Sequence, residues 1–172
     1  YKPGDIIGSM AGKYIEITNT DAEGRLTLAD ALTYAVKEEK ATKLIDIATL
    51  TGAAIVALGE KVIATLSSDD DMFAQFDAAS KLASEKIWRL PLEKEYKKML
   101  KSEVADLKNS PGRPAGTITA SLFLEEFTSG LPWVHLDIAG PSWTDKASSL
   151  CPYGGTGAGV SLLYHFFKKS SY

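Results

Sequence analysis

The chain is short of the residues that mark secreted, membrane-spanning or nucleic-acid-binding proteins. It has one cysteine, Cys151, so no disulfide framework can form within it, which fits a reducing cytoplasm. Its two histidines are His135 and His165. With a single cysteine beside them, a zinc site made wholly of Cys and His is excluded by count. No apolar stretch approaches the length of a membrane span, and no signal-peptide pattern opens the sequence. There is no excess of one charge either: 19 Lys and Arg against 22 Asp and Glu leave a formal net charge of −3. That balance favours neither a nucleic-acid partner nor an anionic membrane. Lys94, Lys97, Lys98 and Lys101 form the densest basic run, but Glu93, Glu95 and Glu103 interleave with them, the pattern of a solvated helix face.

The 172 residues, 45% hydrophobic and 24% charged, suffice for one globular domain with a real core. The chain opens at Tyr1-Lys2-Pro3-Gly4-Asp5, in what reads as the lead into a strand; the expectation is a fragment, a processed product or a trimmed piece. Asp5–Ile7 and Tyr14–Ile17 flank a small-residue turn, a hairpin pattern. A helix is expected from about Leu26 to Glu39, with Leu28, Leu32, Ala35 and Val36 on one stripe. Strands are expected at 43–48, 62–66 and 133–139, with 88–92 extended. Helices are expected at 53–58, from Asp69 to about 86, at 93–101, at 117–127 and at 157–169. The segments 109–116 and 144–159 read as loops. Alternating strands and helices predict an α/β three-layer sandwich with a mixed, largely parallel sheet.

Three places hold residues suited to chemistry. In Asp21-Ala22-Glu23-Gly24-Arg25, positions i and i+2 of an extended backbone point the same way. Two carboxylates facing one spot repel unless a cation lies between them, and a divalent metal suits their oxygens. The plainer reading is a solvated acidic turn, with Glu23 helping to cap the helix that follows. His135 and Asp137 share a strand face, which allows a hydrogen-bonded pair, though a packed strand histidine is the plainer reading. Thr49-Leu50-Thr51-Gly52-Ala53 sits where a strand feeds a helix, a place where ligand crevices form. Gly154-Gly155-Thr156-Gly157-Ala158-Gly159 does not match a phosphate loop, and its glycines read as close packing.

Asn19-Thr20-Asp21-Ala22-Glu23-Gly24-Arg25-Leu26 resembles, without a break, the signature of the leucyl (cytosol) aminopeptidases, hexameric two-metal exopeptidases with a phosphorylase/hydrolase-like catalytic fold. Three further segments carry the likeness: Asp46 to Ala53, Trp88-Arg89-Leu90-Pro91-Leu92 and His135-Leu136-Asp137-Ile138-Ala139-Gly140. Asp106-Leu107, Asn109, Gly112-Arg113 and Gly116 are also similar, so the resemblance spans the chain. It implies that residues 1–172 form the C-terminal portion of the catalytic domain, without the N-terminal domain or the first part of the catalytic domain. Asp21 and Glu23 would then bind two divalent ions, manganese or zinc, with Glu23 bridging them. Arg25 would be catalytic, holding bicarbonate or the developing tetrahedral species. Thr49, Leu50 and Gly52 would contact the substrate's first residue, with Ala139 and Ser142 walling the side-chain pocket. Ser142 stands where the family often carries a larger residue.

The resemblance also implies peptide substrates with leucine-like preference, a cytoplasmic setting and a homo-oligomer. The family's upstream lysine- and aspartate-bearing segment has no counterpart here, so this polypeptide alone is expected to be inactive. The alternative is a truncated scaffold or binding module of the same fold.

Overall fold

The computed structural model describes residues 1–149 and 151–170, the side chains of 169 and 170 excepted. Its centre is a four-stranded sheet of order β3-β7-β4-β5, made of β3 (Leu44–Ala48), β7 (Trp133–Asp137), β4 (Ile63–Ser67) and β5 (Ile87–Arg89). β3 runs parallel to β7, and β4 runs parallel to β5 but antiparallel to β7. The sheet is therefore mixed, with parallel pairing in the majority. Beside it, β1 (Ile6–Gly8) and β2 (Tyr14–Glu16) form the expected hairpin, extended by β6 (Leu107–Lys108).

Alternation along the strands builds the layers, because successive side chains point to opposite faces. Val134 and Leu136 of β7, with Ile45, Ile47 and Ile63, face α3 (Asp70–Ala83) and α5 (Val160–Ser170). There Phe76 and Phe166 stack with ring centroids 4.1 Å apart. On the other face Trp133 and Leu44 join α1 (Gly24–Lys37) and α4 (Gly116–Glu125), whose Ala29, Leu32, Leu122 and Phe123 are buried. The expected three-layer α/β architecture is what the chain adopts.

The elements differ from expectation mainly at their ends. Asp69 caps α3 as its position suggests, accepting from the Met72 amide at 2.6 Å. The helix stops at Ser84, in the left-handed region at φ 56°, short of the expected end near 86. The run 94–100 is 3₁₀ rather than α-helical. The segment 144–159 is not all loop: β9 (Gly154–Gly155) pairs antiparallel with β8 (Trp143–Thr144). Glu23 does occupy the N-cap of α1, but its side chain makes no capping hydrogen bond.

Because β3 and β7 are parallel, their carboxyl ends leave the sheet side by side. The Ile138 amide still donates to Ala48 O at 2.9 Å. From there residues 49–51 lead into α2 (Gly52–Leu58) and residues 139–142 turn away beside Gly59. A crevice at the carboxyl ends of strands is where open α/β sheets bind ligands.

Candidate active site

The crevice opens into a cavity of about 900 Å³. One wall carries Asn19, Asp21 and Arg25, the floor is Leu50, Thr51 and Gly52, and the far wall includes Val56, Leu90, Arg113 and Ile118. Two loops bring Arg25 here. Asn109, fully buried, accepts through Oδ1 from the amides of Thr18 (2.9 Å) and Asn19 (3.2 Å) and donates from Nδ2 to Asn19 O (2.6 Å). Its main-chain carbonyl accepts from Arg25 Nη1 at 2.7 Å. One asparagine thus ties the 18–25 turn to the loop before α4 and seats the guanidinium. Arg25 is 7% exposed and its Nε has no partner among the described residues. Burial lowers its pKa to about 10, against the raising effect of the Asp137 and Glu23 charges.

Behind this wall lies a buried polar layer on the same sheet face. The register sets Asp46 beside His135 across the parallel pair. Asp46 accepts from Trp133 Nε1 at 2.7 Å through one oxygen and lies 2.6 Å from His135 Nδ1 through the other. The partner of His135 is therefore Asp46, not Asp137. Residues i and i+2 on one strand stand too far apart along the chain to compete with a carboxylate directly opposite. Burial opposes protonation of this imidazole, but the Asp46 carboxylate outweighs it, with help from Asp137, so its pKa lies above the ordinary value. Asp137, fully buried, instead takes the amides of Leu50 and Ala139 and the hydroxyl of Thr51.

The residues singled out in the sequence fall into two groups. Asp21, Arg25, Leu50 and Gly52 share the cavity. Glu23 does not line it: residues 20 and 21 form a turn, with the Ala22 amide donating to Asn19 O at 3.3 Å, and Glu23 is already helical (φ −75°, ψ −35°), so the extended-chain alternation expected over 21–25 does not form. Glu23 lines a smaller depression of about 200 Å³ with Tyr1, Leu26 and Asp30. Thr49 is exposed, and Ala139 and Ser142 are half-buried beside the floor; none of the three lines the main cavity. The sequence does not mark Asp46, Asn109 or Thr117 as positioning groups, and it pairs Asp137 with His135 rather than with Leu50, Thr51 and Ala139. The one signal available was the placement of Asp46 and Asp137 on strands otherwise rich in apolar residues, since a buried strand charge requires a partner.

Among the described residues no three His, Cys, Asp or Glu side chains gather to hold a metal ion. Asp21 and Glu23 have the oxygen chemistry for a hard or borderline divalent cation. Two carboxylates fall short of the roughly three protein ligands of a catalytic site, so these residues alone do not fit a metal centre. Nor, among the described residues, is any helix long and apolar enough to cross a membrane.

An α/β domain with this crevice matches the cytosol aminopeptidase family, catalytic domain, over residues 1–164, and the chain belongs to that family. It is 58% identical over 169 residues to a probable cytosol aminopeptidase of Clostridium perfringens, covering 98% of this chain and 34% of that protein. The identity is 55% to the corresponding protein of Syntrophotalea carbinolica, with the same coverage. Among solved structures, the bottromycin maturation enzyme BotP in complex with Mn superposes with a TM-score of 0.95 at 40% identity, over 99% of this chain and 38% of that one. A mutant of tomato leucine aminopeptidase superposes at 0.90 and 46% identity, over 96% of this chain and 32% of its own. The chain thus spans about a third of the length of the curated relatives it matches.

Proposed function

We propose that residues 1–172 are the C-terminal portion of the catalytic domain of a two-metal aminopeptidase that releases N-terminal, leucine-like residues from peptides. The observation that carries the reading is the seating of Arg25. A guanidinium this deeply buried, with an Nε unpartnered among the described residues, in a side chain that lines a cavity together with Leu50, Thr51 and Gly52, is costly unless it meets negative charge. A tetrahedral species formed at a peptide carbonyl, or a bound bicarbonate, supplies that charge, and a preorganised cation stabilises it without reorganisation.

Asp21 and Glu23 would be this chain's share of the ligands to manganese or zinc, the rest coming from outside it. The Mn named with the BotP structure supports divalent metal use. Thr49, Ala139 and Ser142 would wall the substrate's first side chain from beside the floor. A cytoplasmic, homo-oligomeric parent belongs to the same reading.

Because the described residues do not complete a metal site, the 172-residue chain by itself hydrolyses no peptide. Assay of the purified chain with leucine p-nitroanilide and added Mn or Zn is expected to show no turnover. The parent polypeptide is expected to show it, and to lose on the order of 100-fold in kcat on Arg25→Ala. Metal-dependent turnover by the isolated chain would refute the incomplete-site claim. An inert parent would refute the aminopeptidase reading.

A further inference from the structure

We infer that Asp137 is a positioning residue: its buried carboxylate clamps the two loops that form the floor and the side wall of the proposed substrate pocket. This rests on the aminopeptidase reading and deepens it. Asp137 ends β7 with no exposed surface, so its charge must be met inside the protein. Oδ1 accepts from the Leu50 amide and from the Ala139 amide, each at 3.1 Å. Oδ2 accepts from Thr51 Oγ1 at 2.7 Å. One side chain therefore joins the loop after β3 to the loop after β7.

The clamp extends further. The Thr51 hydroxyl has one proton, and Asp137 takes it. Thr117 of α4 must then donate across the 2.8 Å contact to Thr51, while the Ala54 amide donates to Thr51 at 3.2 Å and caps α2. Loop, α2 and α4 are set in register through these hydrogen bonds. At the α2–α4 contact Gly116 lies so close to Ala53 that an added Cβ would come within 2.9 Å. Leu50 and Gly52, which line the cavity, and Ala139, beside it, owe their relative placement to this carboxylate. Displacements near an ångström in such a frame cost substrate alignment.

The conservative variant Asp137→Asn separates this role from simple charge. Its side-chain amide would keep the Oδ1 acceptor for both backbone amides. The new Nδ2 would donate to Thr51, whose proton would turn to Thr117. Alanine would release both loops. In the parent enzyme, Asp137→Ala is expected to raise KM for a leucyl peptide about tenfold with kcat changed by less than about threefold, and Asp137→Asn to recover most of that loss. Thr51→Val is expected to fall between them.

An Asp137→Asn variant as damaged as Asp137→Ala would overturn the clamp, as would a lowered Tm in Asp137→Ala with KM unchanged. Should Asp137→Ala not fold, the Asp137→Asn and Thr51→Val variants carry the kinetic test. Hydrogen exchange on the 172-residue chain reads the clamp without turnover: the Leu50 and Ala139 amides are expected to be protected, and exchange at the rate of open loop would overturn it. A wild-type parent without turnover would defeat the aminopeptidase reading and leave this exchange result to stand or fall separately.

Discussion

Burying a guanidinium away from water costs free energy that a single hydrogen bond to Asn109 O does not return, and Arg25 stands in that position. Burial lowers its pKa to about 10 in the fold, below the ordinary value of a guanidinium in the unfolded chain. The folded protein therefore binds fewer protons than the unfolded chain only between those values, so stability rises with pH only in that alkaline window. At neutral pH the cost is present in full, about 3 kcal/mol by the conversion of pKa shift to free energy. Arg25→Met keeps the length and apolar stem and removes the charge, but leaves the buried Asn109 carbonyl without its donor, at a cost of about 1–3 kcal/mol. The variant is expected to be more stable by up to about 2 kcal/mol in urea unfolding at pH 7 while the parent carrying it loses turnover, as residues retained for function at the expense of stability do. An unchanged or lower midpoint would show that the site is less costly than its burial suggests. The motif around Arg25 was legible in the sequence. Its seat was not, because Asn109 lies 84 residues away and no local pattern ties the two.

At the level of elements, what the sequence showed follows from periodicity. The stripe Leu28, Leu32, Ala35, Val36 and the apolar runs at β3, β4 and β7 carry enough repeats to be counted. Two-residue strands such as β6, β8 and β9 hold no period at all, and the antiparallel setting of β4 against β7 arises from long connections rather than from either strand. Close approach between elements is likewise invisible until the fold is known. Gly140, in the turn after β7, lies so near the end of α2 that a Cβ there would sit 2.2 Å from Gly59 O. That contact is with backbone and cannot rotate away. Gly140→Ala is expected to destabilise the chain by about 2 kcal/mol or more, the cost of overpacking. Gly52→Ala, whose Cβ would meet nothing within 4 Å, serves as control and should leave the thermal midpoint within a few degrees, given its helical position. Equal effects from the two would mean that the α2–β7 contact yields.

For the whole molecule, the open question is how much of the catalytic machinery one third of the relatives' length can hold. The chain holds a core on each face of the sheet. The site is less complete: Asp21 and Glu23 are exposed and face different depressions, and no third ligand joins them among the described residues. Metal binding to a native state raises stability according to concentration over Kd, so thermal unfolding measures completeness directly. Two separated carboxylates imply a Kd near the millimolar range; at about 1 mM Mn²⁺ the gain is about 0.4 kcal/mol, a shift of about 1 °C for a chain of this size. A complete site with micromolar affinity would gain about 4 kcal/mol and shift the midpoint by roughly 10 °C. The isolated chain is therefore expected to melt within about a degree in EDTA and in millimolar Mn²⁺, while the parent shifts by many degrees. A large shift in the isolated chain would place a full ligand set within these 172 residues and remove the ground for proposing that it is inactive.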